Sequence, residues 1–263
     1  MRILYLSRSL IPSRQANSIH VMNMCNAFSN NHNVLLLGMK STHNNAVDIF
    51  SYYGVSNKFS LDLIKIRRKI FNFLSYFESA MKIIRYKPDV VYSRTLTLAW
   101  LSTILRFPVI FESHDPVVLF KGIRSGIFNR LMSSKKLMRI VVISKPLKDS
   151  YCKYGIDEKM ILVAHDAANE NNATPLKFKN KKRLQVGYIG HLYKGRGIEL
   201  IASMAQRCEW ADFHIAGGME NDIKYWKSRY NNINNLKFHG FLDPSKVQSF
   251  MRGCSVLLAP YQS

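Results

Sequence analysis

The 263-residue sequence predicts a doubly wound α/β protein in two domains, the second shorter than the first. Three observations predict it. Short, nearly continuous apolar runs rich in Val, Ile and Leu recur along the chain, as strands buried on both faces of a parallel sheet require. Helix-like stretches separate those runs, giving the β/α rhythm of a sheet covered on two sides. Around residues 169–183 the rhythm breaks: Asn169-Glu170-Asn171-Asn172 is polar and Lys177 to Arg183 is a run of charge. We read residues 1–168 as one domain, 169–183 as a linker and 184–263 as a second domain.

In order, Ile3–Ser7 is the first strand and residues 18–31 a helix, with Ile19, Met22, Cys25 and Phe28 on one face. Val34–Gly38 is the next strand. A long helix over 66–86 ends at Pro88, where proline cannot continue it. Asp89–Ser93, Val109–Glu112 and Ile140–Ser144 follow as strands, then a short helix at 145–154 and a strand at Ile161–Ala164. After the linker come strand Gln185–Ile189, helix 197–207, strand Phe213–Ala216, a helix near 220–230, strand Leu236–Gly240, helix 244–252 and strand Ser255–Ala259. Four strands fall short of the roughly six of a full doubly wound domain, so the second domain is expected to be incomplete.

Composition narrows the functional classes. A hydrophobic fraction of 47% and a charged fraction of 21% suit a globular chain and exclude a disordered or disulfide-scaffold one. The four cysteines form no C-x-x-C pair, so neither a zinc motif nor a thioredoxin-like motif is written here, and reduced thiols are expected. The N-terminal apolar run is short and broken by Arg8, unlike a signal peptide. The expectation is a cytoplasmic protein, peripheral to the inner face of a membrane. Lys and Arg number 38 against 17 Asp and Glu, a net charge of +21 that calls for an anionic partner. Residues 1–164 hold 24 basic and 9 acidic side chains, so most of the excess is in the first domain. A nucleic-acid reading of this charge finds no helix-turn-helix, RRM or zinc pattern to support it.

The strongest local signal is Val186-Gly-Tyr-Ile-Gly-His-Leu-Tyr-Lys-Gly-Arg-Gly-Ile-Glu-Leu200. It runs strand, glycine-rich turn, helix start. Glycines allow close backbone approach, and the helix start after Gly197 offers unpaired N–H groups and a positive dipole end suited to phosphate. His191, Lys194 and Arg196 add cationic side chains. The spacing is neither G-x-G-x-x-G nor a P-loop, and a βα turn with incidental basic residues is the alternative. Residues 65–87 carry seven basic side chains and one acidic, mixed with Ile66, Ile70, Phe73, Phe77, Met81 and Ile84. Two readings stand: a core-packed helix with a solvated basic face, or docking to an anionic leaflet through Arg67, Arg68 and Lys69 with apolar contact beneath.

The glycine turn resembles the donor-binding turn of family 4 glycosyltransferases, retaining nucleotide-sugar enzymes of the two-domain GT-B fold. Further segments agree in order: the opening ILYLSRSLIPSRQANSIHVMNMCNAFS, KPDVVYSR (Lys87–Arg94), PVIFESHD (Pro108–Asp115), VVISKPLKD (Val141–Asp149), VAHDAAN (Val163–Asn169), LKFHGFL (Leu236–Leu242) and CSVLLAPY (Cys254–Tyr261). The resemblance implies two Rossmann-like domains, the first on the acceptor side. It implies transfer of a sugar from a UDP- or GDP-sugar to a polysaccharide or lipid-linked acceptor with retention.

Residue by residue, the resemblance places Gly190, His191, Arg196, Gly197, Gly217 and Gly218 around the donor diphosphate and pocket. His239, Gly240 and Phe241 stand near the nucleotide base, and His114 in the loop facing the transferred sugar. Arg14, Gln15 and Asn17 lie in a first loop closing over donor and acceptor. From its residues alone His114 reads more readily as a loop-stabilising hydrogen-bond donor; the resemblance brings a catalytic role level with that one. The family's mechanism lets the donor phosphate take the acceptor proton, needing no protein nucleophile, metal or cofactor, and no Asp-x-Asp occurs here. The chain departs from the family in lacking paired glycines in the first loop and in ending before the acidic E-x7-E segment. A truncated, inactive relative is therefore the second reading.

Overall fold

In the computed structural model, the run around Ile3–Ser7 is the centre of a longer strand, β1 (Arg2–Ile11). The structure describes residues 1–41, 48–56, 58–65, 72–168, 170, 172–178, 180 and 182–261. They form two compact units, Met1–Ser51 with Val55–Ala168, and Tyr52–Gly54 with Asn169–Ser263. Up to Ala168, β1 is followed by α1 (Ala16–Phe28), β2 (Asn33–Lys40), α2 (Ile49–Tyr53, whose last two residues belong to the second unit), β3 (Ser60–Lys65), α3 (Asn72–Tyr86), β4 (Val90–Ser93), α4 (Leu96–Ile104), β5 (Val109–Ser113), α5 (Ile123–Met132), β6 (Leu137–Val142), α6 (Lys145–Lys153) and β7 (Ile161–Val163). Among the described residues these strands pair in the order β3-β2-β1-β4-β5-β6-β7, all parallel.

The continuous apolar runs are explained by burial on both faces. Leu4, Leu6, Val91, Phe111, Ile140 and Val142 pack with Ile83, Ala99, Phe128 and Tyr151 of the helices. From the opposite face Tyr5 meets Phe28 of α1 and Tyr92 of β4, ring centroids 6.5 and 5.1 Å away. Each such side chain withdrawn from water contributes about 1.5–3 kcal/mol.

Three elements go beyond the sequence reading. β3 is a half-buried edge strand carrying Asp62 and so lacks a continuous apolar run. α4 is apolar nearly all round and shows no clean helical period. α5 lies inside residues 120–140, where basic side chains dominate. The helix expected over 66–86 is described only from Asn72 onward, and residues 66–71, with Arg67, Arg68 and Lys69, lie outside the described residues. The helix expected over 18–31 closes earlier, at Phe28, with Ser29–His32 turning back through bonds to Cys25, Ala27 and Phe28.

The second unit runs β8 (Leu184–Gly190), α7 (Ile198–Arg207), β9 (Ala211–Gly217), α8 (Glu220–Arg229), β10 (Leu236–Gly240), α9 (Pro244–Gly253) and β11 (Val256–Leu257). Its parallel sheet has the order β10-β9-β8-β11 among the described residues. One face packs Val186, Tyr188, Phe213 and Ile215 against Ile198, Ile201, Ala202 and Trp226. The other face buries Gln185, Asp212 and His214. Segment 172–178 is tied to α9 by Leu176 N–H to the Ser249 carbonyl (2.8 Å) and Arg252 Nη1 to the Ala173 carbonyl (2.8 Å). β11 is shorter than expected. Only Val256 and Leu257 pair, with Val186 and Gly187, and both are half-exposed at the sheet edge.

In the first sheet the strand order reverses between β1 and β4, and in the second between β8 and β11. In open parallel sheets such reversals leave a crevice at the carboxyl ends of the strands, the usual place for a ligand.

Candidate functional site

Each unit places its sequence-predicted residues at the carboxyl ends of its own strands. In the second unit, β8 ends at Gly190 and β9 at Gly217, and the Gly218 N–H donates to the Gly190 carbonyl at 3.0 Å. Gly217 (φ +105°) has room for no side chain, since a Cβ would stand 2.1 Å from the Gly190 oxygen. Gly197, at φ +73°, caps the start of α7 in the left-handed region, and a Cβ there would meet the Pro260 oxygen at 2.1 Å. Side chains are thus excluded at Gly197 and Gly217, where the backbone packs closely at the start of α7, the kind of helix N-terminus that suits an anion. Gly240, at φ +77°, ends β10 next to half-buried Phe241.

Arg196 stands in this turn with its guanidinium between two tyrosine rings, 4.4 Å from the Tyr193 centroid and 4.9 Å from that of Tyr261. Nη2 donates to the Tyr193 hydroxyl. Its Nε is buried and has no partner among the described residues. Cation–π contact with the two rings holds a charge in place without neutralising it, so the guanidinium retains an unused donor for an acid group. His191 is exposed, and its carbonyl accepts from the Tyr188 hydroxyl at 2.7 Å.

In the first unit the site is made of side chains. Glu112, on β5, is 3% exposed. Its Oε1 lies 2.6 Å from His114 Nε2, 3.0 Å from His20 Nε2 and 3.3 Å from Arg94 Nε. The Tyr5 hydroxyl lies 3.4 Å from its Oε2. Burial alone would raise the Glu112 carboxyl. Hydrogen bonds from His114, His20 and Tyr92, with the Arg94 charge, overcome burial and hold it well below the usual carboxylate range. His114 Nδ1 faces Arg94 Nη2 at 3.1 Å. A guanidinium only donates, so Nδ1 is the acceptor and Nε2 carries the hydrogen given to Glu112. His114 is a neutral bridge with both nitrogens engaged. A cavity of about 180 Å³ beside it is lined by Arg94, Glu112, Ser113, His114, Asp115 and Arg124, among others.

His20, His114 and Asp166 bring three ligand atoms within 4.8 Å of one another. With both His114 nitrogens committed and a guanidinium alongside, the arrangement serves Glu112 rather than a cation. Arg14, Gln15 and Asn17 are exposed after β1, where Gln15 precedes the first turn of α1 and its carbonyl accepts from the Ser18 N–H at 3.1 Å.

Sequence reasoning set His114 in the same segment as Glu112 but did not find Arg94 or His20. Glu112, Arg94 and His20 come from β5, the end of β4 and α1, and only the β1–β4–β5 adjacency brings them together. No spacing in the sequence could have announced it.

α3 packs on the core through Ile83, Tyr76 and Tyr86 and carries a second, outward set of apolar side chains. Ser75, Ser79 and Ile83 are buried, whereas Phe73, Phe77, Met81 and Ile84 are 72%, 60%, 52% and 45% exposed. Spaced at helical intervals, those four form one outward stripe. Among the described residues no helix is long and apolar enough to cross a membrane.

Residues 18–168 match the family model described as Glycosyltransferase Family 4. In fold the chain resembles HepE of Anabaena, solved with UDP and glucose (14% identity, TM-score 0.66, 98% of this chain and 73% of that one). It likewise resembles sucrose-phosphate synthase of Thermosynechococcus elongatus (16%, 0.65, 99% and 75%). A third neighbour is the lipopolysaccharide outer core galactosyltransferase WaaB (13%, 0.60, 99% and 74%). At these identities the likeness is one of fold, and it is the GT-B fold of two Rossmann-like sheets. No curated protein sequence matches this one.

Proposed function

We propose, from the premise that this chain belongs to glycosyltransferase family 4, that it transfers a sugar from a UDP- or GDP-sugar to a polysaccharide or lipid-linked acceptor with retention at the anomeric carbon. The observation that carries the reading is the turn from Gly190 to Gly197. It combines three glycines, the N-terminus of α7 and a buried Arg196 donor at a reversal of strand order. The binding of UDP and UDP-glucose by HepE supports a nucleotide sugar as donor.

In the reaction the bond between the anomeric carbon and the phosphate oxygen breaks, and its electron pair goes to that oxygen. Arg196 and the positive end of α7 stabilise the charge that grows there. The departing phosphate takes the acceptor's proton, so the step asks for no protein nucleophile and no metal. His114, neutral and fixed by Arg94 and Glu112, shapes its loop rather than exchanging protons.

The test is titration of the chain and of Arg196→Ala with UDP and GDP. Loss of the guanidinium weakens the preferred nucleotide by about 1–3 kcal/mol, the range for a hydrogen bond to a charged partner. An affinity equal to wild type removes Arg196 from the site.

A membrane-borne acceptor is supported by the outward stripe of α3 in a chain of net charge +21. Apolar insertion plus basic charge favours an anionic leaflet. The chain is expected to sediment with phosphatidylglycerol vesicles at low salt, and Phe73→Ser with Phe77→Ser to release it. Wild-type protein left in the supernatant ends the membrane reading.

A further inference from the structure

The second unit has another concavity, at the opposite end of its sheet from the donor turn. Arg183 leads into β8, Glu209 and Trp210 into β9, and residues 232–235 into β10. The sheet order sets these three strands side by side, so their amino ends meet. A cavity of about 400 Å³ lies there, lined by Arg183, Gln206, Glu209, Asn232, Asn234 and Asn235, with Ala205 and Ile233 as its apolar part. Its size falls within the roughly 300–1,000 Å³ of ligand pockets. β8 has seven residues, so roughly 20 Å of strand separates this end from the donor turn.

The walls are fixed. Asn235 is buried, and its Nδ2 reaches the carbonyls of Ala205 (2.8 Å), Cys208 (3.2 Å) and Ala211 (3.0 Å). Those bonds pin the end of α7 to the turn into β9. Arg183 Nη2 donates to the same Ala211 carbonyl at 3.0 Å, and Nη1 lies 3.5 Å from the buried Asp212 carboxylate. A site held in shape before it is filled loses little freedom on binding.

The groups left over name the occupant. The amides of Gln206, Asn232 and Asn234 and the carboxylate of Glu209 are exposed, and have no side-chain hydrogen-bond partner among the described residues. Each amide both donates and accepts, and the carboxylate accepts. Such a set suits a ligand dense in hydroxyl groups, which also do both. It does not suit an anion, because the lining guanidinium is already paired with Asp212 and Glu209 repels negative charge. Trp210, next to Glu209 in the chain, is 64% exposed. A flat apolar ring beside hydrogen-bonding groups matches a sugar, which is apolar on its C–H face and polar at its edge.

We propose that this cavity is a carbohydrate site for a neutral sugar unit of a glycan. Glu209 and the three amides take the hydroxyls, and Trp210 stacks on the ring. The site stands apart from the donor turn and fills whether or not that turn holds a nucleotide.

The test is saturation-transfer NMR of the full chain with cellobiose, maltose, lactose and chitobiose, each at about 10 mM, enough to fill a site of roughly 1 mM affinity to about nine-tenths. Glucuronic acid and inorganic phosphate are the charged probes. At least one neutral disaccharide is expected to bind and to shift the Trp210 indole N–H signal, with excess UDP leaving its binding unchanged. The charged probes are expected to bind at least roughly tenfold more weakly. Trp210→Ala and Glu209→Gln, both at exposed positions that the fold does not depend on, should each weaken the disaccharide at least roughly tenfold. The proposal is overturned if no disaccharide binds, if UDP displaces the one that does, if either variant keeps wild-type affinity, or if a charged probe binds as tightly. None of these results bears on the donor turn, which the UDP and GDP titration tests separately.

Discussion

At the strand-order reversal of the first sheet, the ends of β4 and β5 carry side chains that hold one another: Glu112 with Arg94 and His114, joined by His20 from α1. At the reversal of the second sheet, the ends of β8 and β9 carry glycines, and it is the backbone that closes, Gly218 N–H on the Gly190 carbonyl. Both arrangements sit where a parallel sheet leaves a crevice. The first is electrostatic, held by charge and side-chain hydrogen bonds. The second is steric and answers to a methyl group. That contrast sets what each unit will tolerate.

The largest expected effect is on the steric side. Gly217→Ala forces a Cβ against the Gly190 oxygen at a backbone angle that alanine resists. It should destabilise the second unit by about 2–4 kcal/mol and abolish nucleotide binding. Denaturant unfolding measures it, and a loss below about 1 kcal/mol would mean the turn can relax and is no rigid cradle.

The next effect separates the units by pH. Burial, His239 and Lys237 push folded His214 down to about 4 against 6.5 for the free side chain, so between those values the unfolded chain binds more protons than the fold. Stability of the second unit then falls as pH drops through that window, by on the order of 3 kcal/mol. Glu112 is also held low in the fold, so its contribution is fully present above the ordinary carboxylate value of 4.5 and is lost only below it. A fluorescence probe in each unit should show the second softening first on acidification. Simultaneous loss, or the first unit leading, would break the comparison.

The same contrast explains what the sequence disclosed. The glycine turn was legible because its function is written in consecutive residues, Gly190 through Gly197, and the strands because burial on both faces writes a continuous apolar run. β3 escaped because an edge strand need be apolar on one side only, and α4 because a helix buried nearly all round has no period to detect. The Glu112 group and the hydrogen-bonded chain from Gln185 through His214 to His239 were illegible for another reason. Their members lie on elements far apart in sequence, and the fold brings them together. α3 carries the converse lesson. Its composition left two readings open, and Ser75, Ser79 and Ile83 face the core while Phe73 and Phe77 face out.

The central claim is that the second unit binds a nucleotide diphosphate at the Gly190–Gly197 turn. Thermal unfolding of the chain with and without UDP, GDP and CMP tests it most directly, because a ligand that binds only the fold must raise the midpoint. At a hundred times its dissociation constant the gain is about 2.7 kcal/mol. The account predicts one cooperative transition raised by UDP or by GDP and unmoved by CMP. A midpoint indifferent to all three would contradict it.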